Sequence, residues 1–351
     1  MSVDSTLART RTQKSSTLSW SICVDCAVKL CKQVKSSKVL TNIALMQSMI
    51  LMLLVRRKQF RYKNHCIIEK WWLSLSSIFM SWLTLLTEIL QSLKIVSGNS
   101  RYGKIEPEHD HTLNWIWSPK VAQGPGFLEW LQNEQPLFWI SGKPGAGKST
   151  LMKFIHGHKR TLEVITSKNS QRVILISFFF HELGASSERT FAGLLHALMS
   201  QILTHMPELV THIEKRFRNL KIRSGQLSSN ESIWSDVELQ EAFVDILRAK
   251  STDTLILCLV DGLDECEARS QRQALRFLLK LSSIEPTASL RFKNLCSSRP
   301  ENAMEVAFAK CPQLKIQDYT SSDIKKFVSE TFASVLATFT LVRKLSEYLI
   351  S

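Results

Sequence analysis

No second Cys-x-x-Cys and no His-x-x-x-His accompany Cys23-Val24-Asp25-Cys26, so a zinc ribbon or zinc finger is not expected, even with Cys31, His65 and Cys66 nearby. No apolar run reaches the ~20 residues that a membrane-spanning helix needs. The two nearest, Val39–Val55 and Trp71–Leu86, are shorter, and the first is interrupted by Asn42 and Gln47. The first twenty residues are rich in Ser, Thr and Arg with no apolar core behind them, so no secretory signal is expected. No internal repeat is visible. An Asn-Lys-x-Asp motif, which would read a guanine base, is also missing.

Acidic residues are scarce in one region only. Residues 1–104 hold 16 Lys/Arg against 4 Asp/Glu, whereas the other 247 hold 29 against 27. The net charge of +14 is therefore a property of the N-terminal region. The near-neutral remainder gives no electrostatic reason to expect a nucleic-acid partner. Cys258 and Cys296 sit in apolar runs, which fits free thiols packed as small apolar residues in a reducing, cytoplasmic setting.

An apolar content of 44% over 351 residues supports a full core and two or three structural units. Residues 1–38 read as a basic, poorly ordered arm. In the second apolar run Trp72, Leu75, Phe79, Trp82 and Leu86 recur at steps of three and four. That spacing predicts a docked helix rather than a membrane-inserted one. His109-Asp110-His111 reads as a solvated helix start, and Phe127–Asn133 as a short helix.

Beyond residue 136, β-branched and aromatic runs alternate with helical stretches. Leu137–Ser141, Arg172–Phe180, Thr254–Val260, Leu290–Ser297 and Gln313–Gln317 read as strands, Arg172–Phe180 and Thr254–Val260 as strands buried on both faces because their runs show no polar alternation. The helices expected between and after them are Ser149–His156, Thr190–Leu203, Leu239–Ala249, Arg272–Leu281 and Ser322–Phe332, with loop over 218–233. This alternation predicts an α/β fold: a parallel sheet of about five strands with flanking helices, preceded by a mainly helical N-terminal region.

The chemistry is concentrated at three strand ends. Gly142-Lys143-Pro144-Gly145-Ala146-Gly147-Lys148-Ser149, followed by Thr150, fits G-x-x-x-x-G-K-[ST] between a strand and a helix. Glycines let successive N–H groups turn inward around a phosphate, and the next helix adds its N-terminal partial charge. Lys148 is expected on the β- and γ-phosphates and the Ser149 hydroxyl on Mg²⁺. The strand ending at Asp261 is expected to hold Mg²⁺ through water. Glu265 is the candidate for orienting the attacking water, with Asp264 as a supporting ligand or alternate base. The strand between the glycine loop and Asp261 marks the additional-strand class of P-loop NTPases. A further strand ends in Ser297-Ser298-Arg299-Pro300, where Arg299 or Ser298 could report on the γ-phosphate.

Together F138-W-I-S-G-K-P-G-A-G-K-S-T, the S-F-F-F strand from Ser177, L194-L-H-A-L-M-S-Q-I-L, V260-D-G-L-D-E, S297-S-R-P-E and L314-K-I-Q-D-Y resemble the NACHT NTPases of the STAND class. The resemblance is to the fungal, NLR-like form described as nephrocystin-3-like N-terminal domains. It covers about residues 89–335 and implies this division: a basic N-terminal region (1–88), a helical pre-NACHT segment (89–135), the NACHT domain (136–320) and the start of a helical domain (321–351). It further implies ATP (or GTP) with Mg²⁺ as cofactor, slow hydrolysis, a homo-oligomer or signalling proteins as partners, and a role in non-self recognition or incompatibility. The winged-helix and repeat regions usual in such switches are not in the chain, so a non-hydrolysing scaffold or oligomerisation module is the rival reading. A small-molecule kinase fits less well, because Asp264-Glu265 suits water activation and no lid with paired arginines is seen.

Overall fold

The computed structural model describes residues 65–94, 100–118, 126–167, 172–224, 233–249, 254–283 and 290–350. The Val39–Val55 run and Cys23, Cys26 and Cys31 lie outside them. The chain divides into two compact units, Met1–Glu88 with Ile202–Glu208, and Ile89–Gln201 with Leu209–Ser351.

Helix α1 (His65–Leu93) supplies most of the described part of the first unit, the rest being Ile202–Glu208. Leu83, Leu85 and Leu86 are buried, while Phe79 and Trp82 are half-buried and stacked at 6.0 Å. The apolar stripe is thus helical as expected, and over Phe79–Leu86 burial increases toward Leu86. The Thr84 and Thr87 hydroxyls donate back to the carbonyls of Met80 and Leu83, so their polar atoms are satisfied within the helix. Among the described residues no helix is long and apolar enough to cross a membrane.

The second unit is built on five parallel strands: β1 (Leu137–Ser141), β2 (Arg172–Phe179), β3 (Thr254–Asp261), β4 (Leu290–Ser298) and β5 (Gln313–Lys315). Their order is β2-β3-β4-β1-β5. The helices in chain order are α2 (Ser100–Lys104), α3 (Phe127–Gln132), α4 (Lys148–Gly157), α5 (Lys159–Thr166), α6 (Ser186–Arg189), α7 (Phe191–His205), α8 (Val210–Ser224), α9 (Asp236–Leu247), α10 (Ala268–Ser283), α11 (Asn302–Phe308) and α12 (Ser321–Ile350). Two strands do lie between β1 and the sheet edge at β2, and the β4–β5 connection crosses over β1. The strand order therefore reverses beside β1, and in open α/β sheets ligands bind outside the strand ends at such a reversal.

All residues of β1 and β3 are buried, which explains runs without polar alternation. β2 departs from the expectation of burial on both faces. It is an edge strand, and Arg172, Val173 and Leu175 are only half-buried. One face of the sheet rests on an aromatic cluster. Trp130 and Phe138 lie 5.2 Å apart, and Phe127 meets Phe138 edge-on at 5.7 Å.

Three local expectations change. The 218–233 stretch is not all loop, because α8 runs to Ser224. Ile213, Phe217 and Leu220 give it a buried stripe beneath a polar surface. The 109–111 stretch is a turn rather than a helix start, with His111 and Leu113 left-handed at φ 61° and 62°. Its partners lie more than 200 residues away. Asp323 of α12 accepts from Leu113 N–H (2.8 Å) and Trp115 Nε1 (3.0 Å), and Lys326 donates to the Asp110 carbonyl (2.7 Å). Finally, α12 extends well past Phe332 to Ile350.

Candidate functional site

Parallel register sets the tips of β1, β4 and β3 side by side. Ser141 pairs with Ser298, Ile140 with Ser297, and Val260 with Cys296. Each strand then delivers its polar residues to the same edge of the sheet.

The 142–149 loop leaves β1 with two left-handed glycines, Gly145 at φ 73° and Gly147 at φ 87°, conformations that a Cβ would strain. Gly142 is required for a different reason. A Cβ there would lie 2.3 Å from Ile316 Cγ2, so the loop can sit against the end of β5 only without a side chain. Lys143, Pro144 and Gly145 are exposed, Ala146 is buried, and Lys148, Ser149 and Thr150 begin α4 half-buried. The Lys148 ammonium spans the loop, donating to the carbonyls of Gly142 (2.8 Å) and Lys143 (3.1 Å). Burial lowers its pKa, opposed chiefly by the charges of Asp264 and Asp261.

Asp261 is buried at the tip of β3, and this desolvation pushes its carboxyl up to about 6. Hydrogen bonds from Ser149 and Ser297 hold the pKa down against burial, and the Glu265 charge adds to the rise. Ser149 and Asp261 therefore meet, as the sequence suggested. A hydroxyl and a carboxylate are hard oxygen donors that fit Mg²⁺, and a cation there would favour the ionised carboxylate.

The acidic turn separates its two candidates. Gly262, left-handed at φ 69°, starts a 3₁₀ turn over Leu263–Glu265. The Asp264 side chain is 4% exposed and is gripped by Arg299: its Oδ2 lies 3.0 Å from Nε, and its Oδ1 accepts the Arg299 backbone N–H at 3.0 Å. Glu265 stays half-buried, with Oε2 accepting from the Glu182 N–H at 3.3 Å. Of the pair, only Glu265 is without a cation clamped to it. Arg299 is 44% exposed, with its side chain on Asp264. Ser298 is engaged within the sheet, its Oγ accepting from Trp139 Nε1 (2.9 Å) and donating to the Arg299 carbonyl (2.9 Å).

Ser297 is the residue that sequence reasoning passed over. Its Oγ–H donates to Asp261 Oδ1, and its Oγ accepts from Gly262 N–H at 3.2 Å. A serine directly after the apolar Leu295-Cys296 pair, at the tip of the strand that neighbours the Asp261 strand, was the available signal.

With that geometry in view, the profile of the family "Nephrocystin 3, N-terminal" matches residues 112–299, more than half of the chain and every strand tip just described except β5. The chain belongs to this family. The NACHT-type relationship drawn from the motifs is thereby shown. A curated relative, the vegetative incompatibility protein HET-E-1 of Podospora anserina, is 27% identical over 147 residues, 42% of this chain. The match spans a tenth of that relative's length. Among solved structures, PCH-2 of C. elegans overlaps 52% of this chain and 35% of its own, at 15% identity and a TM-score of 0.26. So loose an overlap adds nothing to the strand order already described.

Proposed function

We propose that this nephrocystin-3-like NACHT chain binds a nucleoside triphosphate, ATP by family preference, with Mg²⁺, and hydrolyses it slowly. One observation carries the reading: a single edge of the sheet gathers a half-buried ammonium, a hydroxyl against a buried carboxylate, and a carboxylate free of a clamped cation. Gly142–Thr150 would wrap the phosphates, with Lys148 as the point charge between them and the α4 N-terminus behind. Ser149 and Asp261 would hold Mg²⁺, which supplies charge neutralisation along the phosphate chain. Glu265 would orient the attacking water. Asp264 is assigned instead as the resting partner of Arg299, whose guanidinium can leave for a γ-phosphate. Slow turnover suits the signalling role that the motif resemblance implies, of which the vegetative incompatibility named for the relative would be one setting, with other signalling proteins or further copies of the chain as partners.

A titration of ATP against the full chain and Lys148→Ala tests this. Losing one charge-assisted contact is expected to weaken binding by roughly 10- to 100-fold. Equal affinity in the two chains would sink the site assignment. The rival reading, a scaffold that does not turn nucleotide over, draws on the exposed apolar face of α12, where Phe327 and Phe332 are 50% and 65% exposed. ATP binding without phosphate release, even at high protein concentration, would favour it.

A further inference from the structure

A hydroxyl in the dry centre of a parallel sheet destabilises the fold unless both its hydrogen and its lone pair find partners. Ser297 is fully buried near the end of β4, level with Ile140 of β1 and one residue beyond the Val260–Cys296 pair with β3. Its strand neighbours Leu295 and Cys296 are equally buried, so packing alone would accept an apolar side chain here. Both hydrogen-bonding capacities of Ser297 are used, and both go to the tip of β3. Oγ–H donates to Asp261 Oδ1, and Oγ accepts from Gly262 N–H at 3.2 Å.

The two partners do different things. Asp261 is the carboxylate that faces Ser149. Gly262, at φ 69°, is the pivot from which the chain turns into Asp264 and Glu265, and its carbonyl accepts the Glu265 N–H at 2.8 Å. One hydroxyl therefore grips both the carboxylate and the start of the acidic turn. Ser149 is the other side chain that bonds Asp261, and in the proposed site its oxygen would also face the cation. Ser297 bonds the carboxylate from within the sheet and would not touch the cation.

We infer that Ser297 is a positioning residue that fixes the Asp261 carboxylate toward Ser149 for Mg²⁺ and pins the Gly262 turn carrying Glu265. The inference rests on the reading of this edge as a Mg²⁺–nucleotide site. Ser297 touches neither ligand; it acts through Asp261 and Gly262. Partners that orient metal-binding carboxylates are part of a site's affinity, and their removal typically weakens metal binding by about 10- to 100-fold.

The test titrates ATP against the full chain over a series of Mg²⁺ concentrations and in EDTA, and follows hydrogen exchange at the Gly262 amide. Ser297→Ala is expected to keep the parent's ATP affinity in EDTA. Its Mg²⁺ concentration for half-maximal effect is expected to rise about 10- to 100-fold. Its Gly262 amide should also exchange faster. Ser297→Thr keeps Oγ and should move both readouts back toward the parent. If the alanine chain does not fold, Ser297→Cys carries the same expectation, because a thiol is a weak donor of nearly the same shape. A folded alanine or cysteine variant with the parent's Mg²⁺ dependence, or with unchanged Gly262 exchange, overturns the inference. A parent chain that does not bind ATP overturns the nucleotide reading itself, and one whose ATP affinity ignores Mg²⁺ overturns its Mg²⁺ part; either result appears before any variant is made.

Discussion

At one end of β4, Lys293 is buried with its ammonium donating to the carbonyls of Trp130 (2.5 Å) and Asn133 (2.6 Å), 4.7 Å over the Trp130 ring. At the other end Arg299 grips Asp264 through side chain and backbone, beside Lys148 and Asp261. Both ends remove charge from water, and they satisfy it by different means. Lys293 caps the orphan carbonyls at the C-terminus of α3, groups fixed by the backbone and unable to move away. At the site end Arg299 and Asp264 pair through their side chains, and the carbonyls that Lys148 meets belong to its own glycine loop, so in the proposed site either cation could exchange its partner for a ligand. A buried charge locked onto the carbonyls of a helix end is structural. One whose partners are side chains or a glycine loop is open to function. Desolvation alone does not separate them, since it pushes Lys293 down to about 7 and Asp261 up to about 6.

The largest expected break in this comparison is at Glu265. Glu265→Gln removes the candidate base while keeping its shape, so phosphate release should fall by about 10²- to 10⁴-fold. ATP affinity should hold within a few-fold, as measured by the same titration. A variant with the parent's turnover would move the base elsewhere.

The structural end should respond to pH. The folded pKa of Lys293 lies near 7, below the ordinary 10.5, so between these values the unfolded chain binds the extra proton. Stability from this group is complete above 10.5 and is lost as pH falls through about 7. Relative to Lys293→Met, the parent should therefore gain melting temperature as pH rises from 7 toward 10. A difference that stays flat across that range would mean the two carbonyls keep the ammonium charged.

How much of this was legible in the sequence depended on whether the controlling partner was local. The glycine loop, the strand ends and the sheet class followed from short-range rules: glycine where φ is positive at 145 and 147, and a continuous apolar run where both strand faces are covered, as in β3. The 109–111 turn was misread as a helix start because Asp323 and Lys326 hold it, and the residues that follow it, from α12. β2 was given burial on both faces because composition does not reveal which strand takes the edge. At the site, Ser149 and Asp261 were paired correctly from motif order. The separation of Asp264 and Glu265 into a clamped and an unclamped carboxylate was not readable, because it is fixed by where Arg299 lands, 35 residues downstream of Asp264.

That division supplies the smallest effect and the sharpest test of direction. If Asp264 were a metal ligand or base, Asp264→Asn would weaken MgATP binding and slow turnover. As the resting partner of Arg299, it instead competes with the γ-phosphate for the guanidinium and adds negative charge beside the phosphate path. Asp264→Asn should then bind MgATP a few-fold more tightly, a shift of under about 1 kcal/mol, because Arg299 is 44% exposed and its ion pair is partly screened by solvent. The melting temperature should fall only slightly, since the asparagine oxygen can still accept the Arg299 backbone N–H. Tighter binding with turnover retained would place Asp264 with the exchangeable charges of the site. Weaker binding with lost turnover would return it to the catalytic pair with Glu265.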